Sequence, residues 1–270
     1  MTDTDRERLR GTFTQDAERY ERARPGYPPR MYDDLPGAGP GCRVLEIGCG
    51  TGKATVPLAE RGCRIVGVEL GAEMAAVARR KLPGATIEVA AFEDWPLPPD
   101  PFDLVLAATS FHWVDPAVRI AKSADALRPG GTLATVSTYH VAGGTEDFFA
   151  EVQGCYERFD PTTPPGLRLT PAADIPYDSQ EAPNRNVDQG NAALPGADRF
   201  EPPAFHRYER DVTYRTADYL DLLGTYSGTL ALDPAARAGL LDCVGTLIDT
   251  RYGGRVTKRY LTELRLATRR

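Results

Sequence analysis

The sequence predicts an α/β fold in which a mostly parallel sheet is covered on both faces by helices. Helical stretches separate five short apolar runs, which lie at residues 42–47, 64–70, 85–90, 102–108 and 131–137. Strands that are apolar on both faces and alternate with helices are typical of buried parallel sheets. Open sheets of this kind bind ligands beyond the carboxyl ends of their strands, so the residues that follow each run form the candidate site.

Length and composition indicate a soluble globular protein built as one elaborated α/β domain. The 270 residues are 41% hydrophobic and 26% charged, and the net charge of -6 with no long basic block argues against nucleic-acid binding. The sequence has no run of 18 apolar residues, and its start, MTDTDRERLRG, lacks the apolar core of a signal peptide. We therefore expect a cytoplasmic protein that acts on a small molecule or a protein, without membrane contact.

The cysteines predict neither a disulfide framework nor a metal site. They are odd in number and include no C-x-x-C pair. We therefore expect reduced thiols, as is usual in the cytosol. The positions are Cys42, Cys49, Cys63, Cys155 and Cys243.

Short helices are predicted on either side of the first strand. The stretch FTQDAERYERARPGYPPRMYDDL predicts two helices separated at Arg24-Pro25-Gly26, because the residue before a proline avoids the helical region. The first helix of the core is predicted to begin near Gly52 and to end at Gly62, which suits a left-handed cap.

Residues 158–204 contain nine of the 23 prolines, have no sustained period, and are predicted to form a lid or substrate insertion. Beyond them, HRYERDVTYRT alternates like a strand, Asp233-Pro234 opens a helix, and KRYLTELRLATRR alternates as the last strand. Apolar residues on one face of that helix are Leu240, Leu241, Val244, Leu247 and Ile248. The predicted organisation is therefore N-terminal helices over 1–40, a core over 41–157, the insertion, and C-terminal strands with inserted helices over 205–270.

The turn after the first apolar run combines three glycines with a carboxylate. Gly48, Gly50 and Gly52 follow a G-x-G-x-G spacing, whereas dinucleotide sites prefer G-x-G-x-x-G. Such glycines let the backbone approach a ligand closely, and Glu46 precedes them within the strand. Glu69 ends the next run, where an acid accepts hydrogen bonds from the hydroxyls of a ribose. The plainer alternatives are a tight turn that binds nothing and a solvated carboxylate.

Further candidates follow the remaining strands. Met74 is placed to lie against an adenine, unless it is simply a core residue. The backbone N–H groups of Phe92 and Glu93 would bind the adenine edge. His112 and Trp113 follow the fourth run in AATSFHWVDP and would line a substrate pocket, the alternative being a packed aromatic pair.

A single ligand would account for the glycine loop, Glu46, Glu69 and the adenine contacts together. A dinucleotide would place a pyrophosphate at the glycine loop, where Glu46 would repel it. S-adenosylmethionine instead carries an ammonium and a sulfonium beside one carboxylate, so that Glu46 suits its amino-acid end and Glu69 suits its ribose. The sequence therefore predicts S-adenosylmethionine as the cofactor and S-adenosylhomocysteine as the product.

The segments VLEIGCGTG, VGVEL, FDLVLAATSFHWVDP and LRPGGTL resemble the successive motifs of the class I S-adenosylmethionine-dependent methyltransferases. The FHW form and the upstream Y-x-x-x-RPGYP are similar to the branch with the trans-aconitate methyltransferase-like enzymes of small molecules. The resemblance covers most of the chain but not residues 158–204. It implies a Rossmann-like, seven-stranded, mostly parallel sheet with an antiparallel last strand and a helical and loop cap.

The same resemblance implies site residues. Tyr20 and Arg24 would close over the cofactor. Relatives often place Asp after the third strand to bind the adenine amino group, but Ala91 stands there, so that Glu93 substitutes for it or backbone and apolar contacts hold the adenine. The expected cofactor residues are Tyr20, Arg24, Glu46, Gly48, Gly50, Gly52, Glu69, Leu70, Met74, Phe92, Glu93 and Ala108, and the expected acceptor-lining residues are Trp113, Tyr139 and Tyr226.

The expected reaction is in-line transfer of the activated methyl group to an oxygen, nitrogen or carbon nucleophile, such as a carboxylate or a natural-product intermediate. A carboxylate needs no base, whereas a phenol, amine or activated carbon uses one, and His112 with His140 behind it is the candidate. The sequence leaves open a non-methylating cofactor-binding enzyme such as a cyclase, and a nicotinamide-dependent oxidoreductase. A pure interaction protein would have no need for this set of strand-end residues. The sequence also leaves open a monomer or a homodimer.

Overall fold

Seven strands form one sheet in the computed structural model, which describes residues 16–177 and 196–270. The strands are β1 (Arg43–Ile47), β2 (Arg64–Glu69), β3 (Thr86–Val89), β4 (Phe102–Ala108), β5 (Leu127–Gly144), β6 (Ala204–Arg215) and β7 (Arg255–Thr268). Their order in the sheet is β3-β2-β1-β4-β5-β7-β6. The first five strands are parallel to one another, and β7 pairs antiparallel with both β5 and β6. The predicted mostly parallel sheet with an antiparallel last strand is confirmed.

The helices of the described residues lie between and beyond these strands. They are α1 (Ala17–Ala23), α2 (Pro29–Asp33), α3 (Thr55–Glu60), α4 (Ala72–Lys81), α5 (Arg119–Ala126), α6 (Glu146–Glu151), α7 (Gln153–Phe159), α8 (Thr216–Leu223), α9 (Ser227–Ala231) and α10 (Pro234–Arg251). Asp233 caps α10 as its sequence predicted, because its carboxylate accepts from the backbone N–H groups of Ala235 and Ala236 at 3.0 Å. Among the described residues, no helix has the length and apolar character that crossing a bilayer requires.

Alternating side chains of the central strands fill two separate cores, one on each face of the sheet. On β1, Leu45 and Ile47 pack into one cluster and Val44 into the other. On β4, Val105 joins the first cluster and Leu104 the second. Because both faces of the central strands are buried, their sequences are continuous apolar runs.

A third core lies where α6–α10 pack against the ends of β5, β6 and β7. It contains Phe148, Leu222, Val244 and other large side chains. A disulfide between Cys155 on α7 and Cys243 on α10 crosses this core, with 5.9 Å between their Cα atoms. The expectation of reduced thiols is therefore wrong for these two cysteines, because tertiary packing joins positions 88 residues apart that sequence spacing does not relate.

The proline-rich insertion predicted over 158–204 is described except for residues 178–195, which lie outside the described residues. The part before that gap contacts β5 and β6: the Ala142 N–H donates to the Thr170 carbonyl, and the Tyr177 ring packs against Phe205. The part after it contacts α5 through an ion pair of Arg199 with Asp125. Neither cavity described below includes a residue of this described part in its lining, and the lid stays a prediction.

Candidate functional site

The glycine loop lies at the carboxyl end of β1, at the point where the strand order reverses between β1 and β4. Gly48, Gly50 and Gly52 have φ values of +66°, +56° and +83°, in the left-handed region that favours glycine. A Cβ on Gly48 would lie 2.6 Å from the Cβ of Ser110 on the neighbouring strand end. The loop therefore needs glycine there both for its conformation and for the close approach of the two strand ends.

The first cavity opens beside this loop and has a volume of about 750 Å³. Its lining includes nine of the predicted site residues: Tyr20, Gly48, Gly50, Glu69, Leu70, Met74, Phe92, Ala108 and Trp113.

Glu69 connects the loop to the end of β2. One of its carboxylate oxygens accepts from the Gly50 N–H and the other from the Gly71 N–H, each at 2.8 Å. A carboxylate offers about four lone-pair sites, so each oxygen retains capacity for a ligand hydroxyl. This arrangement fits a ribose whose two hydroxyls donate to Glu69, and it also shows that Glu69 shapes the loop.

The second cavity joins the first and has a volume of about 720 Å³. Tyr20, Gly48, Gly50, Ala108 and Thr109 line both cavities. The second cavity is more polar and draws on α1, β5, β6 and β7 as well as the glycine loop. Its polar side chains include Arg24, Tyr27, Glu46, Lys53, Thr138, Arg210, Tyr226, Tyr260 and Thr262.

Glu46 is the buried carboxylate of the second cavity. It is 1% exposed and accepts a hydrogen bond of 2.6 Å from the Thr55 hydroxyl. Burial raises the pKa of Glu46 to about 8, the Thr55 hydrogen bond opposes that rise, and Glu69 adds to it. A ligand ammonium beside Glu46 would favour its charged form, so the position fits the amino group of an S-adenosylmethionine.

Helix α1 is held over this cavity by contacts to α8 and the turn that follows it. The Arg24 guanidinium donates to the Thr225 hydroxyl at 2.8 Å and lies 4.2 Å above the centre of the Tyr226 ring. Arg19 pairs with Asp221 at 3.0 Å. These contacts bring Tyr20 and Arg24 to the cavity wall, and their closure over the cofactor stays a prediction.

Thr109 and Tyr27 are site residues that the sequence reasoning missed. Thr109 has φ of +55° and is the non-glycine residue with positive φ in the described part of the chain. Its hydroxyl donates to the Ala108 carbonyl at 2.7 Å, so the Tyr27 hydroxyl donates to Thr109 across 2.8 Å. Backbone strain of this kind concentrates at functional sites. The signal for Tyr27 was its place in RPGYP.

Two predicted cofactor residues lie outside the linings of both cavities. The Glu93 carboxylate accepts from the Asp115 N–H at 3.1 Å, which turns it toward the loop after β4. Gly52 turns the chain into α3, where a Cβ would lie 3.0 Å from Leu82. Both remain predictions as cofactor contacts, and the apolar side of the first cavity is formed in part by Phe92 and Met74.

His112 lies in the short turn after β4, and its ring packs against that of Trp113 with 4.8 Å between centroids. Burial, and then the charge of Arg119, lower the pKa of His112 to about 4. The imidazole is therefore neutral at pH 7. Trp113 reaches the first cavity, whereas His112 is in neither lining.

His140 lies on β5 and contacts Phe149 edge-on, with 4.3 Å between centroids. Burial, and then the charge of Lys258, lower the pKa of His140 to about 2. Neither His140 nor the adjacent Tyr139 is in the lining of the two cavities, and the roles of both stay predictions. Of the three residues predicted to line the acceptor pocket, Trp113 and Tyr226 face a cavity.

Comparison with known proteins places this site in a family. Residues 45–135 match the family described as "Methyltransferase domain". An uncharacterized methyltransferase of Mycobacterium tuberculosis is 47% identical over 118 residues, which are 43% of this chain and 48% of that protein. A trans-aconitate 2-methyltransferase of Afipia carboxidovorans is 37% identical over 95 residues, 34% of this chain and 37% of that enzyme. The chain thus spans about half or less of these curated relatives.

Solved structures extend the likeness to the whole sheet. A protein of Anaeromyxobacter dehalogenans described as a type II methyltransferase matches with a TM-score of 0.56 and 25% identity, over 90% of this chain and 97% of that one. A phospholethanolamine N-methyltransferase of Haemonchus contortus matches in fold alone, with a TM-score of 0.50 and 16% identity, over 100% of this chain and 60% of that one.

The strand order and the glycine loop are those of the Rossmann-like, class I fold. Residues 45–135 match the methyltransferase domain family, and the chain is similar in fold to a solved methyltransferase over 90% of its length.

Proposed function

We propose that this protein transfers a methyl group from S-adenosylmethionine to a small-molecule acceptor that enters the second cavity. The observation that carries the proposal is the pair of joined cavities at the strand-order switch, with Glu69 beside the first and Glu46 beside the second. Two carboxylates spaced along one continuous site suit a ligand with a ribose at one end and an ammonium at the other.

Binding would proceed through this chain's own groups. The first cavity holds the adenosine, with Glu69 accepting from the ribose and Met74 and Phe92 in contact with the base. Glu46 attracts the ammonium, and Tyr20 and Arg24 cover the amino-acid end. When bound, S-adenosylmethionine supplies an activated methyl group on its sulfonium. The protein contributes alignment of the acceptor with that methyl group and exclusion of water.

The charges of the second cavity favour an acceptor that carries an acidic group. Arg24, Lys53 and Arg210 bring three cations to its wall, whereas Glu46, the one carboxylate in that lining, would be paired with the ammonium of the bound cofactor. A carboxylate, a phenol or an enol would lose less solvation there than in an apolar cavity. We therefore propose an anionic or weakly acidic small molecule as the acceptor.

The test of the cofactor is thermal unfolding with S-adenosylhomocysteine and with NAD. A ligand at 100 times its dissociation constant adds about 2.7 kcal/mol, which raises the melting temperature by several degrees at this chain length. We expect that shift with S-adenosylhomocysteine and none with NAD. A shift with NAD alone would overturn the proposal, and methyl transfer to a panel of acceptors would separate an active methyltransferase from a non-methylating cofactor binder.

A further inference from the structure

Three tyrosines and one lysine form a connected group on the β6 and β7 side of the second cavity. Lys258 on β7 donates to the phenol oxygen of Tyr226 at 2.8 Å. The hydroxyls of Tyr214 on β6 and Tyr260 on β7 lie 3.0 Å apart, and Tyr260 is also hydrogen-bonded to Tyr226. We name these four residues the tyrosine–lysine cluster.

Only part of the tyrosine–lysine cluster reaches the cavity. Tyr226 and Tyr260 line it, whereas Lys258 is 5% exposed and lies behind Tyr226. Arg24 also lies over the Tyr226 ring, with its guanidinium carbon 4.2 Å from the ring centre. A phenol oxygen at a cavity wall is thus held by a buried ammonium, beside a guanidinium.

Two cations against one phenol favour the charged form of that phenol. Burial acts to raise the pKa of Tyr226, but Lys258, Arg24 and the hydrogen bonds from Lys258 and Tyr260 together lower it below its ordinary value. The pKa of Tyr260, in contrast, is raised, first by burial and then by Tyr226. Burial raises the pKa of Tyr214, the other tyrosine of the cluster, and Tyr260 stays protonated as the hydrogen-bond donor to Tyr226.

We propose that Tyr226 is the general base of the acceptor half, a role that rests on the methyl-transfer function proposed above. The Tyr226 phenolate oxygen takes the proton from an O–H group of the acceptor. The freed lone pair of the acceptor then forms the new bond to the methyl carbon, and the broken carbon–sulfur bond leaves its electron pair on sulfur. Tyr226 afterwards returns its proton to solvent, and Lys258 acts as a positioning residue that keeps Tyr226 charged.

A general base at Tyr226 restricts the acceptor to molecules that must lose a proton before they attack the methyl group. A base is useful only where the nucleophile carries a proton that must leave, as in a phenol, an enol or an ammonium group. A carboxylate acceptor is already ionised at pH 7 and would gain nothing from Tyr226. Together with the cations of the second cavity, the cluster therefore favours a phenolic or enolic acceptor over a carboxylate or an amine.

The charged and titratable groups around Tyr226 come from several elements. They determine the pH at which Tyr226 loses its proton and whether that step can be told apart from the ionisation of neighbouring tyrosines. Arg24 follows α1, Lys258 and Tyr260 lie on β7, and Tyr156 lies on α7. The pKa of Tyr156 is raised, first by burial. A tyrosine that titrates early in the ligand-free protein is therefore assignable to Tyr226.

The first experiment needs no ligand: titration of tyrosinate absorbance in the near ultraviolet. We expect one tyrosine of the wild-type protein to ionise below the ordinary pKa of about 10, and Tyr226→Phe to abolish that step. Lys258→Met should move it up by about 1–3 pH units, and Lys258→Arg should restore most of it. Tyr252→Phe, outside both cavities, is the matched control and should leave the early step in place.

The second experiment measures methyl transfer to phenol, aniline and benzoate as acceptor probes. We expect Tyr226→Phe to lower transfer to phenol by about 10²–10⁴-fold, with S-adenosylhomocysteine affinity preserved, and to change transfer to aniline little because its lone pair is already free. Identical tyrosinate titrations of wild type and Tyr226→Phe would overturn the proposal, as would transfer confined to benzoate at a rate the substitution does not change. If none of the three probes is methylated, the titration alone decides. Failure of the methyltransferase function itself would appear separately, as absent stabilisation by S-adenosylhomocysteine.

Discussion

The two halves of the site are built differently. The cofactor half uses consecutive residues of β1, β2 and their following turns, and much of its surface is backbone and apolar side chain. The proposed acceptor half collects long polar side chains from β6, β7 and the turn after α8, including Arg210, Tyr226 and Tyr260. One half therefore depends on local conformation and the other on tertiary packing, and substitutions should separate the two.

The largest expected effect is the change in the free energy of unfolding with pH that the titration of Glu46 causes. The folded pKa of about 8 lies above the unfolded value of 4.5, so the folded state binds more protons between these values and stability falls as pH rises through that window. From pH 5 to pH 9 this group should remove about 4 kcal/mol, at about 1.4 kcal/mol per pH unit. Glu46→Gln should lack this loss, as urea unfolding at a series of pH values would report.

A bound ammonium offers a control for the same residue. S-adenosylhomocysteine should flatten the pH dependence of the wild-type protein, because its amino group favours the Glu46 carboxylate. Equal slopes in the wild type and in Glu46→Gln would show that Glu46 is not the buried titrating group.

The next largest effect is expected for Gly48→Ala, which should lower the free energy of unfolding by about 2–4 kcal/mol. An alanine at φ +66° is strained, and its Cβ would meet the Ser110 Cβ at 2.6 Å. Denaturant unfolding measures the loss. Gly84→Ala is the matched control, since a Cβ there meets nothing within 4 Å and φ is not positive. Similar losses at both positions would refute the close approach of the two strand ends.

Glu69→Ala should lower S-adenosylhomocysteine affinity by about ten- to a hundredfold. The substitution removes charge-assisted hydrogen bonds worth about 1.5–3 kcal/mol. Calorimetric titration is the measurement, and Glu88→Ala, an exposed carboxylate on neighbouring β3, is the control for a general charge effect. An unchanged affinity in folded Glu69→Ala would remove Glu69 from the ribose site.

His112→Ala should have the smallest effect on turnover. Its ring packs against Trp113, so the expected result is a loss of about 0.5–1.5 kcal/mol in stability with the transfer rate nearly unchanged. Single-turnover methyl transfer and a melting curve on this variant test it. A rate drop of about 10²-fold or more would reinstate His112 as a base and weaken the assignment to Tyr226.

The contrast between the halves also explains what could be predicted from the sequence. Gly48, Gly50 and Glu69 were predictable because their spacing along the chain directly reports the backbone turn that they form. Lys258 and Arg210 were missed because an alternating strand pattern does not say which polar side chain faces a cavity. The Cys155–Cys243 bridge was missed for a similar reason, since it is formed between helices brought together by the third core.

Strand β7 comes after β6 along the chain, yet it lies between β5 and β6 in the sheet. On a ribosome, β1–β5 and the glycine loop would emerge before β6 has any neighbour with which to pair. Lys258, Tyr260 and Thr262 arrive only with β7. A growing chain would therefore complete the strands of the proposed cofactor half before those of the proposed acceptor half.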